Sequence, residues 1–178
     1  FYEGSTFGAG LITGHQVVVR EDVVSGPGLQ IGTKSIVLAQ SQIGEQVKIH
    51  TLVMISEGTV IGDFVYILPY VQFLNDPLPP SPMLEGITVK NLAVISAGAI
   101  IFPGITIGEG SFIAAGSQVK KNVADIHCVA GNPAVLFCTL DKFVHPKYGR
   151  YHPWIKRHIA KYPVAVHPKI DEGVAGLD

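Results

Sequence analysis

Cysteine occurs only twice in the 178 residues, at Cys128 and Cys138, and charge is thin, with 13 Lys and Arg against 14 Asp and Glu. Two thiols without ligand or framework spacing fit a reducing cytoplasm better than a disulfide-stapled scaffold. A net charge of −1 leaves no broad basic surface, so nucleic acid is not an expected partner. No run of 18 apolar residues exists, because polar residues or glycine interrupt every short stretch, and a membrane-spanning helix is excluded. No secretory leader is visible, although a chain that opens at Phe1 rather than Met leaves a lost leader open. What the chain has in quantity is glycine and proline, 20 and 12 residues, as many short strands and corners require.

The spacing of the apolar residues organises everything else. Phe7, Thr13, Val19, Ser25, Ile31, Val37, Ile43, Ile49, Ile55, Ile61, Ile67 and Phe73 fall six apart, and Val89, Ile95, Ile101, Ile107, Ile113 and Val119 resume the rhythm. Sixteen of these 18 anchors are Ile, Val or Phe, whereas a chain that is 47% hydrophobic would place about eight there by chance. A helix cannot keep a period of six on one face, and a plain strand alternates every two. Six fits short strands separated by sharp corners, the pattern of a parallel β-helix. Three hexads close a triangular coil of 18 residues, so the anchors make about six coils stacked about 4.8 Å apart. Glycine after an anchor, as at Gly14, Gly26, Gly32 and Gly62, is expected to supply corner backbone angles that a Cβ would penalise. Leu11, Val17, Val23, Leu29, Val47, Val53, Val65 and Val71, each two residues before an anchor, predict a second inward row.

The rhythm breaks once. Between Phe73 and Val89 lie ten residues more than a hexad needs, within 74–88, and Pro77, Pro79, Pro80 and Pro82 stiffen that excursion. A long loop leaving a compact scaffold is where function concentrates. After Val119 the pattern fades, and the tail contains one predicted helix, Pro153 to Tyr162, with proline in its first turn and Pro163 after its end.

Several motifs together resemble the hexapeptide-repeat acyltransferases, nearest to the branch that N-acetylates nucleotide-linked amino sugars. They are the Ile-Gly hexads, Ile55-Ser56-Glu57-Gly58, Phe73-Leu74-Asn75-Asp76 at the loop, and Ile113-Ala114-Ala115-Gly116-Ser117. Val119-Lys120-Lys121-Asn122-Val123 and the closing Ala130-Gly131-Asn132-Pro133-Ala134 complete the set, and the resemblance covers about residues 7 to 138. It implies an all-β, left-handed parallel β-helix as an acyltransferase domain over 1–135, with the loop insertion at 74–88 and a C-terminal extension at 136–178. The handedness rests on the resemblance alone. It also implies a cytoplasmic homotrimer, acetyl-CoA as co-substrate, a nucleotide sugar as acceptor, and active sites in grooves between subunits.

The resemblance assigns cofactor contacts to Ala97, Gly98, Ala115 and Gly116 as a small-residue wall for the pantetheine arm. Lys120 and Lys121, with Arg150, are the candidates for its phosphates, and Asn132 and Pro133 belong to the closing motif. Amine attack on a thioester needs positioning of the amine, stabilisation of an oxyanion and, where required, a base. Asn75 and Asp76 are expected to grip the amine and a neighbouring hydroxyl. Glu57 falls in the same corner column as Asn75 and is expected to orient the amine or take its proton. His50 and His15 are the candidate bases, and an essential histidine would favour the rival reading, O-acetylation of a sugar hydroxyl. A γ-class carbonic-anhydrase-like protein or a scaffolding β-helix is the remaining alternative. The first needs three histidines on zinc, and the repeats offer only His15 and His50, so no metal is expected.

Overall fold

The computed structural model of the chain describes residues 1–143. The predicted helix Pro153 to Tyr162 and the candidate Arg150 lie outside the described residues.

Eighteen two-residue strands, from Thr6–Phe7 to Gln118–Val119, each carry a hexad anchor as their second residue. Each pairs in parallel with the strand of the next coil, as in Phe7↔Ser25 and Ile31↔Ile49, so the coil is 18 residues and every third hexad shares a face. The first face starts with Thr6–Phe7, the second with Ile12–Thr13 and the third with Val18–Val19. From Val19 to Val119 every apolar anchor is exposed by 5% or less. Burial of one such side chain contributes roughly 1.5–3 kcal/mol, and the stack repeats that contribution in each hexad. Thr13 is exposed and Phe7 half-buried, because the first coil has a neighbour on one side only.

The second inward row holds Val23, Leu29, Val47, Val53, Val65 and Val71, all buried. Leu11 and Val17 are half-buried near the open N-terminal end, and Ile87, Ala93, Ala99 and Ile105 extend the row after the loop. Several of its other positions carry a small hydroxyl that satisfies itself on a corner carbonyl. Ser35 Oγ donates to the His50 carbonyl at 2.7 Å, Thr59 Oγ1 to that of Ser56 at 2.7 Å, and Ser111 Oγ to that of Gly108 at 2.8 Å. Ser25 differs, since it occupies an anchor position and its buried Oγ has no hydrogen-bond partner among the described residues.

The corners correct the expected role of glycine. The left-handed residue is the third after the anchor, not the first, and along the corner between second and third faces it is Gln16, Lys34, Leu52, Tyr70, Gly98 and Gly116, with φ between 57° and 70°. Glycine is needed directly after the anchor for a different reason. A Cβ on Gly14 would lie 2.5 Å from Thr33 N, and one on Gly32 2.5 Å from the His50 carbonyl carbon. The backbone of the next coil fills that space.

Across the insertion the register widens: Ile61 pairs with Val89, 28 residues on instead of 18, which accounts for the ten extra residues. The loop leaves at the corner between third and first faces and is pinched at its base, where Glu85 N–H donates to the Asn75 carbonyl at 2.7 Å. After Val119 the stack continues rather than ends. Val123 bridges Ile107 and Val129 pairs with Ile113, each 16 residues on, so the seventh coil has lost two residues at one corner. Its strand His127–Gly131 then turns back as Ala134–Thr139, antiparallel, and a short 3₁₀ turn Leu140–Lys142 follows. Among the described residues no helix is long and apolar enough to cross a membrane.

Candidate active site

Two edges of the third face carry the candidate residues. On the edge shared with the first face, the column two residues past each anchor reads Glu21, Ala39, Glu57, Asn75, Pro103 and Lys121, as the pairings Val37↔Ile55, Gln72↔Met54, Phe73↔Ile101 and Ile101↔Val119 require. Glu57 and Asn75 are therefore on successive coils, about one strand spacing apart, and both are half-buried. Arg20 lies on the same edge, paired with Glu21 at 2.8 Å over the Tyr2 ring, and holds the Glu21 carboxyl below the usual glutamate range. Glu57 adds a smaller favourable field at that guanidinium.

Asp76 is already occupied in shaping the loop. Its Oδ1 accepts from Leu78 N–H at 3.0 Å and from the Ser81 hydroxyl at 2.7 Å, and its Oδ2 accepts from Ser81 N–H at 2.7 Å. The Ser81 hydroxyl and then the backbone donors hold the carboxyl below the usual aspartate range against a smaller opposing desolvation. Ser81 is the partner that sequence reasoning missed. The signal was the Asp76-Pro77 pair, which favours a turn whose carboxylate caps the following amides.

On the other edge, shared by second and third faces, stand His15 and His50. His15 N–H donates to Thr33 Oγ1 at 3.2 Å. The exposed His50 imidazole is lowered in pKa, first by the part of it that packs on the corner and then by the charge of Lys48. The structure thus divides the five catalytic candidates: Glu57, Asn75 and Asp76 share one edge, His15 and His50 the next, with the strands Met54–Ile55 and Gln72–Phe73 between them.

The same second-to-third edge holds the small residues. Ala97, Gly98, Ala115 and Gly116 are all exposed, so they are not corner packing. A Cβ on Gly98 would meet nothing nearer than Gly116 N at 4.0 Å, and one on Gly116 nothing within 4 Å. The hairpin turn closes the end of that wall, since Gly131 N–H donates to Ser117 Oγ at 3.2 Å and leaves Asn132 and Pro133 exposed beside it. Lys120 and Lys121 are one strand away, on the loop edge of the sixth coil, with Lys120 Nζ 5.1 Å above the Phe102 ring. Among the described residues no three His, Cys, Asp or Glu side chains gather closely enough to hold a metal ion.

A parallel β-helix of hexads with one loop and a closing hairpin is the class the fold defines. No family model matches the chain. Serine acetyltransferase 4 of Arabidopsis thaliana is 34% identical over 126 residues, 69% of this chain and 34% of that protein. A 2,3,4,5-tetrahydropyridine-2,6-dicarboxylate N-acetyltransferase of Enterococcus faecalis is 35% identical over 60 residues, 34% of this chain and 26% of that one. Among solved structures, AntD, an N-acyltransferase from Bacillus cereus in complex with dTDP and coenzyme A, superposes with a TM-score of 0.70 at 18% identity, covering 88% of each chain. The chain spans about half the length, or less, of the curated relatives it matches. These sequence likenesses are to acetyltransferases, and the superposition shows that the repeat folds as it does in a solved N-acyltransferase.

Proposed function

We propose that the chain is an acetyl-CoA-dependent N-acetyltransferase that acts on an amino group of a nucleotide-linked sugar, in grooves between the subunits of a homotrimer. The observation that carries this reading is the division of the candidates between two edges of one face. The loop edge presents Asn75 and Glu57, suited to holding an amine, on a loop that Asp76 orders, and the other presents an open wall of small residues, suited to a thin cofactor arm. A second copy that lays its wall against this loop brings acceptor and thioester together. The solved N-acyltransferase AntD, in complex with dTDP and coenzyme A, has this fold over 88% of its length, which supports the choice of acceptor class.

In the step itself the uncharged amine attacks the acetyl carbonyl, the C–N bond forms, and the carbonyl oxygen becomes an oxyanion. Collapse breaks the C–S bond, and the amine proton passes through a base or water to the departing thiolate. Asn75 and Glu57 hold the amine, whose positioning is the largest contribution asked of the protein. Asp76 fixes the loop around them through Ser81, with Ala97, Gly98, Ala115 and Gly116 lining the arm. Lys120 and Lys121 meet the phosphates, and Asn132 and Pro133 close the far end.

O-acetylation is the second reading, favoured by one observation. His50 is lowered in pKa, so it is a neutral imidazole at pH 7 and able to accept a hydroxyl proton. If it is the base, kcat/KM is flat above the ordinary histidine value of about 6.5 and falls only below it.

The test is thiol release from acetyl-CoA with nucleotide sugars that carry an amine and their hydroxyl counterparts, together with light scattering for mass. Amine-dependent release by a trimer is expected. Release with the hydroxyl sugars alone selects the second reading. No release with any acceptor, and no thermal shift with CoA, ends the enzyme reading.

A further inference from the structure

The two cysteines of the chain, unremarkable in spacing, face each other. The strands His127–Gly131 and Ala134–Thr139 run antiparallel about the turn Asn132–Pro133, with Gly131↔Ala134, Ala130↔Val135 and Val129↔Leu136 in register. Continued regularly, that register would set Phe137 opposite Cys128. An irregularity between Cys128 and Val129 shifts it by one residue, and Cys128 pairs with Cys138. Directly opposed residues of antiparallel strands have Cα atoms about 4.5–5.5 Å apart, inside the range of about 4.4–6.8 Å that a disulfide spans. Both thiols are free. Cys128 is fully buried among Phe64, Leu92 and Leu140, whereas Cys138 is half-buried. Among the described residues no third metal-ligating side chain joins them.

We propose that Cys128 and Cys138 form a reversible intramolecular disulfide, a redox-dependent clamp across the hairpin that carries Asn132 and Pro133. The oxidant is a small disulfide such as oxidised glutathione. Cys138, the more exposed sulfur, gives up its proton and attacks one sulfur of the reagent, and the first reagent thiol leaves with a proton. Cys128 then deprotonates and attacks Cys138 Sγ, and the second reagent thiol leaves. Two protein thiols and one reagent disulfide become one protein disulfide and two reagent thiols. Burial raises the pKa of both thiols, so neither is a thiolate near pH 7 and exchange is slow in both directions. Because Gly131 N–H is bonded to Ser117 Oγ, the closed clamp fixes the turn against the small-residue edge.

The pairing depends on the hairpin alone and stands or falls separately from the acyl-transfer reading. Whole protein equilibrated in graded glutathione buffers, then alkylated and peptide-mapped, should yield a Cys128–Cys138 cross-linked peptide in single chains. The equilibrium for closing the bond should be at least about 100-fold more favourable in the folded protein than in urea. Amide exchange at Val129, Ala130 and Val135 should slow about tenfold on oxidation. In Cys128→Ser, which removes the resolving thiol, Cys138 should accumulate as its glutathione adduct. Separate adducts on both cysteines of the unaltered chain, cross-links between chains, no preference over urea, or unchanged amide exchange would each overturn the proposal.

Discussion

Ile61 in the stacked body meets Ile43 on one side and Val89 on the other and is 2% exposed. In the loop that leaves this body at the end of the same coil, Leu78, Met83 and Leu84 are 66%, 56% and 49% exposed, and order comes from Asp76, Ser81 and the Glu85–Asn75 bond at the base. The body is held by burial repeated every six residues. The loop is held by a handful of hydrogen bonds on one carboxylate. Change in the body should therefore register as stability, and change in the loop as activity with the stack intact.

Ile61→Asp tests the first half most severely. An unpaired carboxylate between two apolar anchors costs several kcal/mol, and the coils on either side share the strand it would disrupt. Loss of the cooperative thermal transition, or of soluble protein, is expected. A folded protein carrying this change with an undiminished melting temperature would show that the anchor row is not the core. Asn75→Ala tests the second half. Turnover should fall about 100-fold through lost positioning, while the melting temperature stays within about 2 °C because no buried contact is removed. Unfolding at unchanged specific activity would erase the contrast between loop and body.

Ser25→Val sharpens the rule within the body. Ser25 is a polar intruder in the anchor row between Phe7 and Ile43, buried and without a hydrogen-bond partner among the described residues. Replacement by valine removes the orphaned hydroxyl and adds buried methyl groups, for a gain of about 1 kcal/mol and a rise of about 2–4 °C in melting temperature. A fall would mean that the space beside Phe7 cannot take the larger side chain.

The body was legible in the sequence because burial is periodic, and a period can be counted. The hexad, the 18-residue coil and the ten-residue insertion all follow from the spacing of Ile, Val and Phe. What depends on the approach of one coil to the next was not legible. Gly14 and Gly32 are required by the neighbouring backbone, whereas left-handed angles are borne by Leu52, Phe64 and Tyr70, which no propensity would nominate. The seventh coil escaped because two missing residues between Val119 and Val123 move the anchors out of step. The cysteine pair escaped because one irregular residue decides whether Cys128 faces Phe137 or Cys138. Of the candidate site, the Glu57–Asn75 column could be read from spacing. The placing of His15 and His50 on the next edge needs each hexad assigned to its face, which the same spacing allows. That Asp76 is engaged by Ser81 depends on the fold of a loop without a repeat.

The smallest effect is also the most selective for the loop. Asp76 is held below the usual aspartate range by bonds that exist only when the loop is formed, the Ser81 hydroxyl foremost. A folded-state pKa below the unfolded one means that the unfolded loop binds the proton more tightly. The contribution of Asp76 is then complete above its ordinary value near 3.9, and is lost as pH falls below that value through the lowered one. Amide exchange at Leu78 and Ser81, whose N–H groups donate to the carboxylate, should lose protection in that window, once the intrinsic pH dependence of exchange is removed. The amides of Ile61 and Val89 should keep theirs. Asp76→Asn should abolish the pH step at the two loop amides and leave the body unchanged. Loss of protection at loop and body together would mean that the two regions open as one unit.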